Sequence, residues 1–545
     1  MGAASAATVQ KMITSLSRLK AAPTEQDHGV EAVTLVVLNG KMRLKAWLLS
    51  FFALCIWLCP LPVAAYEYAG ENLTLTLSGY LESGARYACD NDTPDEDPST
   101  ELGIDLNADL GSKASFKLFL QVIDDGKVID PGNSLLFNEF NKIYQDRNPS
   151  VDIDEAYLDL FTDSMDFRIG IQKFAWGRLD EINPTDNLNT EDFSQGGTNE
   201  ENDRKIGVPA VRTNVYTDLV NIELAWIPQY VPYRLPTSEE RWFPGVLNPP
   251  DVIETDTGAG DIPVTSSYQD IEMHGQYPSH SEYGIRVSKY IAGCDISLSY
   301  FRGYNVMPIT SGPTDLTITL RDFLALDYSI EAETTLVPEI HKMNVYGFDF
   351  TTTLGSFTIR GEYAYYQNRY FNRKLDSVLN EELTQEKQDN IMDDFLQTYL
   401  DSDGQASVQT FRIDPQIALQ KDSMKYGIGI DYIYGDTSVS VQAIQEFVPG
   451  YDDDRPIYFI KDGFDTMITV SFKQFFLQNT LEANLDGAYD LVFKEYLVKP
   501  SVKYKFTESL QFTLGAIWLD GKERDSLVGQ YQDNDEIYAK LTCYF

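Results

Sequence analysis

The chain has 545 residues, 43% of them hydrophobic, and a mean hydropathy of -0.27, which excludes a helical membrane protein. Its 83 acidic residues against 43 basic give a formal charge of -40 and disfavour nucleic-acid binding, because phosphate contacts need a basic surface. Tyr is abundant, with 33 copies against 6 Trp and 4 His, which suits strands and interfacial aromatic belts.

Targeting chemistry comes first along the chain. Met42-Arg-Leu-Lys45 is a short basic region, Ala46 to Leu58 is an apolar stretch, and Val63-Ala64-Ala65 is a small-residue cleavage site. A signal peptide is therefore expected over 42–65, preceded by a mis-called N-terminal extension over 1–41. The stretch is too short to span as a helix, and Pro60 and Pro62 follow it. Cys55 and Cys59 lie inside this segment. Cys89, Cys294 and Cys543 remain, with no metal-ligand spacing and no disulfide framework.

From residue 66 onward the chain alternates with period two. Leu73, Leu75, Leu77 and Leu81 interleave with Thr74, Thr76, Ser78 and Tyr80. Leu102, Ile104, Leu106, Ala108 and Leu110 interleave with Gly103, Asp105, Asn107 and Asp109, and Phe116, Leu118, Leu120 and Val122 with Ser115, Lys117 and Gln121. The same pattern returns at 357–365, 426–434 and 510–518. Very short turns near 111, 162, 217, 292, 354, 435 and 507 separate these runs from long polar stretches near 124–150, 175–205, 228–280, 305–339, 367–421 and 449–462. A soluble sandwich has no reason to place every long loop at one end. The rhythm predicts an all-β, transmembrane, antiparallel up-and-down barrel over 66–545, of about 18 strands (roughly 16–18), with short periplasmic turns and long extracellular loops.

One segment is denser in signals. Glu155-Ala-Tyr-Leu-Asp159 and Phe167-Arg-Ile-Gly-Ile-Gln172 read as a tight hairpin that places Asp159 across from Arg168. Trp176-Gly177 and Ile182-Asn-Pro-Thr-Asp-Asn187 follow as an ordered loop, with Trp176 expected near the outer membrane interface. The pattern of Gly170, Gln172, Trp176, Gly177, Asn183, Pro184 and Asp186 resembles a large, poorly characterised family of proteobacterial outer-membrane barrels. That family is porin-like and distantly akin to alginate-export and phosphate-selective porins. The resemblance implies an integral outer-membrane location and a barrel fold, and names no substrate. Members often carry an Arg after the Asn-Pro-x-Asp turn; this chain has Asn189-Thr-Glu-Asp-Phe193 there, so no anion preference is carried over.

Ionisable residues on polar strand faces are few: Asp105 and Lys117, Asp159 and Arg168, then Arg286, Arg360 and Glu362. Lys117 is expected near Asp105 and Asn107. Such residues either orient permeating solutes or pair across strands to stiffen the wall. Leu375 to Leu400 has helical spacing and is expected either to fold inward as a constriction or to lie as a surface helix. Acidic runs at 90–97 and 452–454 read as solvated loops or as points of divalent-cation bridging to lipopolysaccharide. The last strand, Glu536 to Phe545, has one apolar and one polar face and a terminal aromatic, as a closing strand presented to the barrel-assembly machinery would have.

No catalytic residues emerge. The four His lie in no motif with Ser or Asp, and there is no metal site, cofactor motif or Walker loop. The reading is a porin-like channel for passive diffusion of small polar or amphipathic solutes, in contact with outer-membrane lipid. An exporter or anchor for an acidic polysaccharide and an outer-membrane hydrolase are the alternatives.

Overall fold

The computed structural model describes residues 65–89, 96–125, 142–144, 149–236, 240–247, 252–253, 262–268, 280–305, 309–322, 327–382, 384–402, 404–415, 417–524 and 526–545. The expected extension and signal peptide, His274 and most of the 90–97 acidic run lie outside them.

Among the described residues one antiparallel sheet closes on itself. Its staves are β1 (Thr74–Ala88), β2 (Glu96–Leu110), β3 (Ala114–Asp124), β4 (Ser150–Phe161), β5 (Met165–Gln172) and β6 (Val208–Tyr216). They continue with β7 (Asn221–Ile227), β8 (Glu282–Ile291), β9 (Cys294–Tyr304), β10 (Lys342–Leu354), β11 (Phe357–Asn372) and β12 (Ala418–Tyr434). The last are β13 (Thr437–Phe447), β14 (Phe464–Phe476), β15 (Leu481–Asp490), β16 (Tyr496–Lys505), β17 (Leu510–Asp520) and β18 (Glu536–Tyr544). Each stave pairs with its neighbour in sequence, and β18 returns to β1 with Tyr80 opposite Tyr544 and Ala88 opposite Glu536. The result is a closed barrel of 18 strands, as the alternation predicts. Phe545 completes the seam, exchanging backbone hydrogen bonds with Gly79, and its ring occupies the space a Cβ at Gly79 would need.

The turns at one end span 111–113, 162–164, 217–220, 292–293, 355–356, 435–436, 477–480 and 506–509. The turn at 477–480 carries no glycine or proline signal; Leu477, Gln478 and Asn479 take φ of 51, 56 and 66° instead.

The outside is apolar. Leu224, Ile285, Leu298, Phe348, Ile428, Val441, Val470, Leu485 and Leu514 are exposed along the middle of the staves. Trp226, Tyr283, Tyr489 and Trp518 ring the long-loop end, and Tyr216, Tyr290, Tyr434 and Phe506 the other. Two aromatic belts around an apolar band are the signature of a bilayer-facing barrel. Ile428→Arg should therefore destabilise the folded protein by about 2–4 kcal/mol, as an arginine at the lipid-facing midplane does. Equilibrium unfolding in vesicles checks this.

The long connections hold more structure than their polarity suggests. Strands Val252–Ile253, Ile262–Tyr268, Ile309–Ser311, Thr314–Asp322, Asp327–Glu339 and Val408–Ile413 form a second, six-stranded sheet built from three separate loops. The stretch 305–339 reads as a polar loop because every second residue is Thr, Asp or Glu; its intervening Leu316, Ile318, Leu320 and Ala332 are buried. Helices α1 (Leu375–Glu382) and α2 (Gln385–Asp401) cover that buried face through Val378, Ile391 and Phe395. Of the two placements expected of 375–400, an inward constriction or a surface helix, the structure shows helices whose apolar stripe is satisfied by the small sheet.

Candidate functional site: a loop-constricted lumen

The hairpin β4–β5 enters the site in the expected register. Arg168 donates two hydrogen bonds to Asp159, at 2.7 and 2.9 Å, and lies 3.8 Å over the Tyr157 ring. Gly170 has φ of 137°, and a Cβ there would sit 2.2 Å from the Ala156 carbonyl, so glycine is required. Gln172 is fully buried and donates to the Ala210 carbonyl of β6 at 3.0 Å. Beyond it the chain leaves the wall and turns into the barrel.

This first inward loop, 173–207, is pinned along its length. Asn189 accepts from the Phe174 amide at 2.6 Å and donates to the Ile206 carbonyl at 2.7 Å, tying the two legs together. Trp176 is 2% exposed and its indole donates to Glu223 on β7 at 2.8 Å. Its expected place at the membrane interface is therefore corrected: the ring fills the space beside Gly284, inside the barrel. Gly177 takes φ of 91°, bringing the backbone so close to Glu362 on β11 that a Cβ would lie 2.7 Å from the carboxylate.

Glu362 is the main anchor. It accepts from the amides of Arg178, Leu179 (2.6 Å) and Thr185 (3.1 Å), and from the Thr185 hydroxyl at 2.9 Å. Around it, Arg178 reaches Asp349 at 3.0 Å and Asp295 at 3.2 Å. Arg286 also holds Asp349, at 2.9 Å. Arg360 grips Asp180 (2.8 Å), Asp431 (2.7 Å) and the Arg178 carbonyl (2.6 Å). Tyr366 donates to the Pro184 carbonyl at 2.6 Å. Three of the predicted lumen residues, Arg286, Arg360 and Glu362, thus converge where β8–β11 receive the loop.

The rest of the loop is stitched internally. Lys205 bridges Asp186 (2.8 Å) and Glu201 (2.7 Å), and Glu201 also accepts from Asn183 at 2.7 Å. Burial pushes the Asp186 carboxyl up to about 7 despite the adjacent ammonium. Arg204 binds Glu181 (2.9 Å) and Glu191 (3.1 Å). The motif residues Asn183, Pro184 and Asp186 therefore act as internal fasteners of the loop.

Beyond these fasteners the loop crosses to the opposite wall. Lys499 on β16 donates to the Thr198 carbonyl at 3.3 Å, and Lys503 lies 3.8 Å from Glu200. Arg86 on β1 donates to Asn199 at 3.2 Å. A second connection, described over 228–236 and 240–247, packs against the first. Arg234 bridges Asp152 (3.3 Å) and Asp192 (2.5 Å), and Tyr233 stacks on Phe193 with centroids 5.6 Å apart. Trp242 buries against Ile517, Leu519 and Tyr531 near β17 and β18. Between residues 192–207 of the first loop and the inner faces of β18, β1, β2, β3 and β4 a cavity of about 460 Å³ remains.

Lys117 stands opposite Asn107 and within electrostatic reach of Asp105, as expected. Its ion pair is with Glu155 on β4, at 2.7 Å, and Asp105 accepts from Asn107 at 2.6 Å. Glu155 lies on the face of Lys117 because Tyr157 is the register partner of Lys117, and a bulge at Asp154 shifts the register beyond it. Sequence reasoning missed Glu82, Glu101, Glu200, Asp203 and Lys499. Their strand members all sit on polar-face positions, as does Lys540, so the alternation carried the signal; the loop members had none.

Comparison with solved structures gives distant likenesses. The chain is 9% identical to Acinetobacter baumannii OccAB1, with 86% of this chain and 96% of that chain covered at a TM-score of 0.43. It is 10% identical to the outer membrane channel DcaP of A. baumannii, covering 89% and 100% at a TM-score of 0.37. Against OmpT of Vibrio cholerae the values are 10%, 87%, 100% and 0.35. No curated protein matches the chain by sequence. A family model, described as a protein of unknown function, DUF1302, matches residues 121–545, and the chain belongs to that family.

Proposed function

We propose that the protein is an outer-membrane channel through which small polar or amphipathic solutes diffuse passively. The observation that carries this reading is a closed cylinder, apolar outside and charged inside, whose lumen is narrowed by a pinned loop with a polar cavity beside it. Barrels of this strand number leave an aqueous interior. The short turns face the periplasm and the long loops face outward, where their acids meet lipopolysaccharide through divalent cations. The concentration gradient drives flux and no cofactor is needed.

Lumen charges divide into two roles. Asp159, Arg168, Lys117 and Arg286 are held in close ion pairs and stiffen the wall. Arg360 and Glu362 fix the loop. Selectivity then falls to the constriction, where Glu200 on the loop faces Lys499 and Lys503 on β16. Opposed charges at the edge of the water-filled lumen set a local field that orients dipolar solutes. An export route for an acidic polysaccharide needs a contiguous basic lining, and the mixed lining here weighs against it.

Planar-bilayer recording in asymmetric salt tests the reading: a measurable conductance is expected, and its absence refutes it. Lys499→Gln with Lys503→Gln should raise the cation-to-anion permeability ratio by roughly two- to threefold. An unchanged reversal potential removes these lysines from the filter.

A further inference from the structure

The passage beside the loop carries charge in an arrangement that wall stability does not explain. Glu82 on β1 and Glu101 on β2 are direct partners in the strand register, both on the inner face. Like charges directly opposite one another destabilise a strand pair. Glu82 is compensated by Lys540 at 2.9 Å and by the Thr542 hydroxyl at 2.9 Å. Glu101 receives only neutral donors, the Tyr80 hydroxyl and the Gln121 amide at 2.8 Å. Asp203 lines the same cavity from the loop, within electrostatic reach of Glu200, Lys173, Lys540 and Glu82. Neither Glu101 nor Asp203 forms an ion pair among the described residues.

The cations of the passage are already committed. Arg86 holds Glu536 at 2.5 Å, and Arg204, Lys205 and Arg234 each bridge two carboxylates. The unspent charge is therefore negative. Among the described residues no set of three acids converges closely enough to hold a bare metal ion. A cation that suits the space must bring its own volume and hydrogen-bonding groups. The cavity, about 460 Å³, matches a monosaccharide-sized solute, and its hydroxyl and amide groups at Tyr80, Gln121, Thr542 and Asn199 match a polyhydroxylated one.

We propose that the passage prefers organic ammonium solutes of monosaccharide size over neutral or anionic analogues, with Glu101 and Asp203 as its specificity-determining residues. This rests on the channel reading and names its substrate class. The ammonium is drawn to Glu101 on the wall and Asp203 on the loop, which line one cavity, while hydroxyls engage the neutral groups. Solute charge complements the passage without any change of the wall.

The test uses three probes on one ring: glucosamine held protonated at pH 6, glucose and glucuronate. Block of the open-channel current should be strongest with glucosamine. Asp203→Asn and Glu101→Gln should each weaken that block about tenfold, the loss of one charge-assisted hydrogen bond. Calorimetric titration of glucosamine into the detergent-solubilised protein should show the same ranking and the same losses. Equal block by the three sugars, preference for glucuronate, or block unchanged in both variants overturns the inference while leaving the channel intact. Absence of conductance overturns the channel reading, and the calorimetric arm still decides this one.

Discussion

Glu362→Ala is expected to release the first inward loop and widen the pore. The carboxylate is 4% exposed and is the shared acceptor for three backbone amides and one hydroxyl. Each buried donor left without a partner costs about 1–3 kcal/mol, so the loop loses roughly 3 kcal/mol or more of docking free energy. Arg360 and Arg178 then stand beside their aspartates with no fixed backbone between them. The barrel itself, held by its hydrogen-bonded staves, should still form. Single-channel conductance should rise by about twofold or more, with larger current noise, because the constriction at Glu200 and Lys503 opens. Glu362→Gln, which keeps one acceptor oxygen, should fall between. Wild-type conductance in the alanine variant would mean that the remaining contacts hold the loop unaided.

The second large effect is expected at Arg234→Met. Arg234 is 8% exposed and its guanidinium bridges Asp152 on β4 and Asp192 on the first loop. Removing a partner from a buried ion network leaves uncompensated charge and costs about 3–5 kcal/mol. Denaturant unfolding should show that loss, and protease should cut the loop between β7 and β8 sooner. Adding Asp152→Asn and Asp192→Asn to Arg234→Met should restore much of the stability, because the stranded charges vanish with their partner. A variant within about 1 kcal/mol of wild type would show that the network contributes little.

Much of the barrel was legible because period-two alternation is a direct imprint of two solvents on one strand. Residues such as Leu298 and Asp349 announce their faces without any tertiary knowledge. Hairpin register was equally readable, which is why Asp159 and Arg168 meet as expected. What failed depended on contacts distant in sequence. Trp176 looks like an interfacial tryptophan because both environments want an apolar ring with one donor; only Glu223, on another strand, decides between them. The ion pair of Lys117 with Glu155 depends on the β3–β4 register, which is set across a long connection and not by the residues next to either partner. Glu200 and Asp203 sit in a polar loop whose path across the lumen is fixed by Glu362, more than 150 residues later.

The six-stranded sheet at the long-loop end draws two, three and one strands from three hairpin connections, and Ile262–Tyr268 lies parallel to Asp327–Glu339. Those connections therefore share one hydrogen-bonded fabric and cannot drift independently in sequence or length. An insertion tolerated in an ordinary surface loop would here misalign a neighbour contributed by a different hairpin. The surface of the long-loop end is therefore a composite, assembled only after the chain has passed residue 413 and lost whenever any one of its contributors is shortened.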